Sequence, residues 1–263
     1  MQPDRFAFFL GGQDLEMEAI AALLAQRIAK SDGRVGQICN HHLAWGARAS
    51  DYRDQIAAAL AAGLRVVLVE LAPDLPLPET VIVVDHHGQR SAEPSALEQV
   101  FTLLSLPADL WTRDLTLVAA NDLGHVAAMR AMGATAAEIA QIRARDRAAQ
   151  GITAAQEAEG AAALLARREG LGGTIVIVDL PHGHTATVAD PLALSGERRD
   201  LLILSPASTN FFGTGKCIAT LDAAFPGGWR GGELPLRGFW GVAQRLDETA
   251  ILAALAQATA VIA

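Results

Sequence analysis

A chain of 263 residues that is 51% hydrophobic and 19% charged is long enough for one large or two modest packed cores, and this composition excludes a disordered chain. Its formal net charge of −8 argues against broad binding to long nucleic acid, which depends on Lys and Arg neutralising phosphates; a local basic pocket for a short phosphorylated ligand stays open. The amino-terminal apolar run is too short for a signal peptide, and no stretch approaches the roughly twenty apolar residues of a membrane span, so a cytoplasmic protein with no membrane partner is expected.

In chain order, "RFAFFL" (5–10) reads as a strand stopped by Gly11-Gly12, and the segment from about 15 to 30 as a helix that exits through Asp32-Gly33. "GQIC" (36–39) is a short strand and "DYRDQIAAALAAG" a helix closed by Gly63. "RVVLVEL" (65–71) and "TVIVVD" (80–85) are the next strands, separated by the Pro-rich "APDLPLPE". A helix around 95–105 precedes "DLTLVAAND" (114–122), which begins like a strand, and two long helices are expected from Ala134 to about Arg168.

The texture changes at "GLGGTIVIVDL" (170–180). Beyond it lie strand-like "DLLILS" (200–205) and the Gly-rich "FPGGWRGGELPLRGFWG" (225–241). The alternation predicts an α/β protein with a mainly parallel sheet covered by helices, residues 1–168, and a second, smaller α/β domain, residues 169–263. Cys39 and Cys217 have no metal-ligand spacing and read as reduced thiols.

Strand carboxyl ends share one edge in such a sheet, so the residues just after them converge. Those positions hold Asp14 and Glu16, then Glu70, then Asp85, His86 and His87, then Asp122 and His125. So many carboxylates at one edge repel one another unless a cation is present, and mixed oxygen and imidazole donors suit Mn²⁺, Mg²⁺, Fe²⁺ or Zn²⁺. Taken singly the positions have plainer readings: Asp14 as a helix cap, Glu70 as a loop charge, Asp122 in a turn with Gly124, His125 as structural. Asp-His-His directly after a buried strand resists such a reading.

"VIVVDHHGQ" (81–89) resembles the signature of the DHH phosphoesterase superfamily, whose members include inorganic pyrophosphatases, nano-RNA phosphatases, single-strand exonucleases and cyclic-dinucleotide phosphodiesterases. The order of the acidic motifs and of the two domains is similar throughout. The resemblance implies one metal ion held by Asp14 and Glu70, and a second held by Glu16, Glu70, His86 and Asp122, with Mn²⁺ the first choice. It implies that Asp85, grouped with both the metal and the catalytic residues, orients a histidine, and that His87 lies near the substrate phosphate. This sequence departs from the pattern at Leu10, where the family has a histidine, and at Glu16 and Glu70, where it has aspartates. One metal site has lost a ligand unless His41, His42 or His125 replaces it.

In the second domain Gly231 and Gly232, with Lys216, Arg230 and Arg237, read as an anion-binding set, or else as tight turns around Trp229 and Trp240. His182 and His184 either reach a cleft between the domains or line a turn. Arg143, Arg145 and Arg147 read as the solvated face of a packing helix or, as a minority reading, as phosphate contacts. The expected function is metal-dependent hydrolysis of a small phosphorylated metabolite or nucleotide in that cleft. The alternative is a non-catalytic or non-hydrolytic descendant that binds a metal or a small anion. The Ala-rich helices offer faces for a homodimer.

Overall fold

The computed structural model describes residues 5–30 and 33–259. Asp32, expected at a helix exit, lies outside the described residues. The chain divides into two compact units, Met1–Gly151 and Ile152–Ala263.

In the first unit β1 (Phe6–Leu10), β2 (Val35–Cys39), β3 (Arg65–Val69) and β4 (Ile82–Val84) form a sheet in the order β2-β1-β3-β4, every pair parallel. All five residues of β1 are buried, as expected of a parallel strand covered on both faces. Ala7, Phe9, Val66 and Leu68 pack with Tyr52 and Ile56 on one face. Alternation sends Phe8, Leu10, Val67 and Val69 to the other, where they too are buried. Crossovers from β1 run to β2 on one side while β3 lies on the other, so the order reverses beside β1. In open α/β sheets a crevice opens at such a point, outside the strand carboxyl ends.

The helices of this unit are α1 (Leu15–Ala29), α2 (Arg53–Ala61), α3 (Ala96–Leu103), α4 (Arg113–Ala131) and α5 (Ala136–Ala149). The strand-like reading of 114–122 is corrected here: "DLTLVAAND" lies inside α4. Thr112 caps this helix by accepting from Leu115 N at 3.3 Å. Leu117, Val118, Ala119, Ala120 and Asn121 are all buried as α4 packs on α1, α3 and α5. A helical stretch buried on every side, as residues 117–121 are, shows no 3.6-residue alternation, and its apolar run imitates a strand.

The second unit holds α6 (Ala154–Leu165), β5 (Arg168–Gly170), β6 (Ile175–Asp179), α7 (Ala186–Ser195), β7 (Asp200–Leu204), β8 (Thr209–Thr214), α8 (Gly215–Ala224), β9 (Trp229–Glu233), β10 (Arg237–Val242) and α9 (Glu248–Thr259). Its sheet runs β5-β6-β7-β8-β10-β9, with only β6 and β7 paired in parallel. Ile175, Ile177, Leu202 and Leu204 face Ile218, Leu221, Ile251 and Leu255 of α8 and α9. Val176, Val178, Leu201 and Ile203 pack on the other side with Val188 of α7 and Ala163 and Leu164 of α6.

The Gly-rich segment 225–241 forms the β9–β10 hairpin, and two of its glycines, Gly231 and Gly241, sit where rings cover backbone. A Cβ on Gly231 would lie 2.5 Å from the Phe239 ring, and one on Gly241 would lie 2.7 Å from Trp229. No helix among the described residues is long and apolar enough to cross a membrane.

Candidate metal centre

Close approach of two strand ends builds the site. β1 runs into Gly11, where a Cβ would lie 2.5 Å from the Glu70 carbonyl oxygen, so a side chain at this position would push the ends of β1 and β3 apart. Glu70 follows β3 directly and takes the left-handed conformation, with φ of 51°. That conformation costs a residue with a Cβ on the order of 1–3 kcal/mol, a strain that tends to collect at functional sites. Glu70 N donates to Val84 O at 2.8 Å, which ties the turn to β4, and His86 follows two residues later.

Glu16 lies in the first turn of α1. Its Oε1 accepts from Leu97 N at the start of α3 at 3.0 Å, an interaction with a helix amino terminus that favours the carboxylate. Asp122 comes from α4, just before that helix breaks at Gly124 and His125.

One ligand atom from each of Glu16, Glu70, His86 and Asp122 lies within 4.8 Å of the others. His86 Nε2 is 3.1 Å from Glu70 Oε1 and close against Asp122 Oδ2. Neither contact has hydrogen-bond geometry: Glu16 Oε2, Glu70 Oε1, His86 Nε2 and Asp122 Oδ2 are buried with no hydrogen-bond partner among the described residues. Glu16 is 1% and His86 7% exposed, and leaving such groups unpaired inside a protein is costly.

The charges respond accordingly. Burial, reinforced by Asp122 and Glu70, pushes the Glu16 carboxyl well above the usual range. Burial lowers the pKa of His86, but Asp122 and Glu70 outweigh it and carry the imidazole up to about 10.

Asp14 and Asp85 are turned to other partners. Asp14 caps α1, its Oδ1 accepting from Met17 N at 2.8 Å, and burial raises its carboxyl to about 8. Asp85 Oδ1 accepts from His87 N at 2.9 Å and lies 3.0 Å from His87 Nδ1. His87 is half exposed, its ring centroid 4.3 Å from that of His86, and its Nδ1 is 3.9 Å from Glu70 Oε1. It forms a second close group with Glu70 and His86.

Leu10 is fully buried and offers only its carbonyl, which accepts from Tyr52 Oη at 2.7 Å. His41 and His42 lie on the loop after β2, His41 exposed and its N donating to Tyr52 Oη at 2.9 Å. Neither joins a ligand group among the described residues, nor does His125, whose Nδ1 lies 3.2 Å from Arg143 Nη1.

In the second unit His182 Nε2 lies 3.0 Å from Gln156 O, and His182 Nδ1 accepts from His184 N at 3.2 Å. Arg230 donates to Asp222 at 2.6 Å, and Arg237 lies 3.1 Å from Asp200 and donates to Arg199 O at 2.9 Å. Gly231 and Gly232 are in β9, and Lys216 is exposed in the first turn of α8.

Sequence reasoning missed a buried polar group beside this edge. Arg143 and Asp146 are each 3% exposed and joined at 2.8 Å, so Arg143 is not part of a solvated face. The signal was their spacing: with Ile139, Ile142 and Ala149 they lie on the single buried stripe of α5.

No protein-family model and no curated protein matches the sequence. Among solved structures, RecJ from Thermus thermophilus in complex with Mn²⁺ is similar over 99% of this chain and 52% of its own, at 15% identity and a TM-score of 0.52. The same protein in complex with Mg²⁺ gives 15% identity and 0.50 over 99% of this chain and 50% of its own. The DHH domain of a member of a ribosomal-protein family gives 14% and 0.39 over 92% of this chain and 73% of its own. The chain thus spans about half the length of these two RecJ chains. Its fold is that of the RecJ structures.

Proposed function

We propose that this protein is a metal-dependent phosphoesterase acting on a small phosphorylated metabolite or nucleotide. Its divalent ion, Mn²⁺ before Mg²⁺, Fe²⁺ or Zn²⁺, is held by Glu16, Glu70, His86 and Asp122. The observation that carries the reading is the set of four buried, unpartnered atoms aimed at one another. Three carboxylate oxygens and one imidazole nitrogen suit a hard-to-borderline divalent ion. The Mn²⁺ and Mg²⁺ in the RecJ structures support the same choice.

An ion bound there would supply positive charge to a phosphoryl group and make water a nucleophile near neutral pH. The chain's own groups do the rest. Asp85 fixes the His87 ring through Nδ1 and the backbone amide, leaving Nε2 to exchange a proton with the phosphate or its leaving group. Lys216, Arg230 and Arg237, with the backbone of Gly231 and Gly232, are the proposed anion contacts of the second unit. The exposed ion pair of Arg230 with Asp222 is weak enough to yield to a phosphate.

A second reading, a metal binder without hydrolytic activity, is favoured by Leu10, which supplies no donor where the resemblance expects a histidine. The test is elemental analysis after equilibration with Mn²⁺, followed by phosphate release from a panel of small phosphoesters and nucleotides. One ion per chain and turnover are expected. Bound Mn²⁺ without turnover selects the second reading, and no bound Mn²⁺ removes both.

A further inference from the structure

We propose that Arg143 is a positioning residue for the metal centre, bracing from α5 the two helices that carry Glu16 and Asp122. The inference rests on the metal reading above. Arg143 Nη1 donates to Asn121 Oδ1 at 2.8 Å and to Asp146 Oδ2 at 2.8 Å, and lies 3.2 Å from His125 Nδ1. Asp146 Oδ1 accepts from Leu15 N at 3.2 Å, and its Oδ2 also accepts from Gln150 Nε2 at 2.9 Å.

The positions of these partners give the pair its meaning. Leu15 lies between Asp14 and Glu16, so Asp146 holds the backbone from which Glu16 projects. Asn121 precedes Asp122, and His125 follows it by three residues, so one guanidinium nitrogen grips α4 on both sides of Asp122. Helical geometry is lost at Gly124, with φ of −168°, and at His125, with φ of 49° and ψ of −135°. Regular intrahelical bonds therefore do not carry through the segment just past Asp122, and the Arg143 contacts supply the missing restraint.

A buried ion pair alone is poor evidence of stabilisation, since apolar replacements often serve as well. What an apolar pair would lack is the hydrogen bonds to Leu15 N and Asn121. Groups that orient metal ligands typically change metal affinity about 10–100-fold when removed.

The experiment is calorimetric titration with Mn²⁺ alone, with folding checked by circular dichroism. It compares the unmodified protein, Arg143→Met, Arg143→Lys and the charge-free pair Arg143→Met/Asp146→Leu. The pair keeps the test decisive if Arg143→Met, which leaves Asp146 buried and uncompensated, fails to fold. Arg145→Met, which removes an exposed contact to Asp114, serves as a control with unchanged affinity.

Affinity is expected to fall about ten-fold or more in the charge-free pair and in Arg143→Met, with Arg143→Lys between them and the parent. A folded charge-free pair that binds Mn²⁺ as tightly as the parent overturns the brace and leaves the metal reading intact. A parent that binds no Mn²⁺ overturns the metal reading, and the brace with it.

Discussion

At the carboxyl edge of the first sheet, Glu16, Glu70, His86 and Asp122 turn buried atoms toward one another with no hydrogen-bond partner among the described residues. On the β9–β10 hairpin, by contrast, Arg230 meets Asp222 at 2.6 Å and Arg237 meets Asp200 at 3.1 Å, half in solvent. Both regions are rich in charge. The hairpin pairs these arginines within the protein, and Gly231 and Gly241 are explained by the rings packed over them. The sheet edge leaves its donors and acceptors short of a partner inside the core, which points to a cation from outside. The difference separates charge already paired within the protein from charge with no such partner.

The sharpest way to break that contrast is to delete a member of the buried set. His86→Ala and Asp122→Ala are each expected to weaken Mn²⁺ binding about 10–100-fold, read by titration calorimetry. Unchanged affinity in both would mean that the four atoms have another purpose.

On the hairpin the expectation concerns stability. Gly231→Ala forces a Cβ against the Phe239 ring and should cost about 1–3 kcal/mol in urea unfolding with metal affinity unaltered.

Proton linkage provides a finer test. Asp14 is raised from 3.8 to about 8 and His86 from 6.5 to about 10, so both favour the protonated folded state in metal-free protein. Their stabilisation is complete below the ordinary pKa and lost as pH rises through the folded value. The melting temperature of chelated protein should therefore decline from about pH 5 to about pH 9 through this site. Asp14→Asn, which keeps the capping oxygen, should flatten the lower part of the decline. Saturating Mn²⁺ should oppose the decline, because binding requires the deprotonated ligands. A pH profile identical with and without Mn²⁺ would sink the assignment.

The smallest effect belongs to an exposed arginine. Arg230→Met should change stability by roughly 0–1 kcal/mol, as surface pairs do, while raising KM for a phosphoester substrate several-fold. An unaltered KM would leave the hairpin a purely structural element.

Much of this was legible in the chain order of residues. The buried runs at β1, β3 and β4 announce themselves because strands covered on both faces are apolar throughout. The rule that strand ends share an edge selects Glu16, Glu70 and His86 without any coordinates. Asp122 was selected by the same rule although a helix carries it, since the apolar run of α4 imitates a strand when every face is buried.

Tertiary contacts decided the rest. That Asp14 caps α1 while Glu16 turns inward depends on where α3 presents Leu97 N. That the Arg143–Asp146 pair of α5 is satisfied in the core depends on α4 and α1 bringing Asn121 and Leu15 N to it. That Gly231 and Gly241 lie under aromatic rings depends on cross-strand register. Local periodicity records which side of an element is apolar. It does not record which distant backbone groups arrive to pair with a charge.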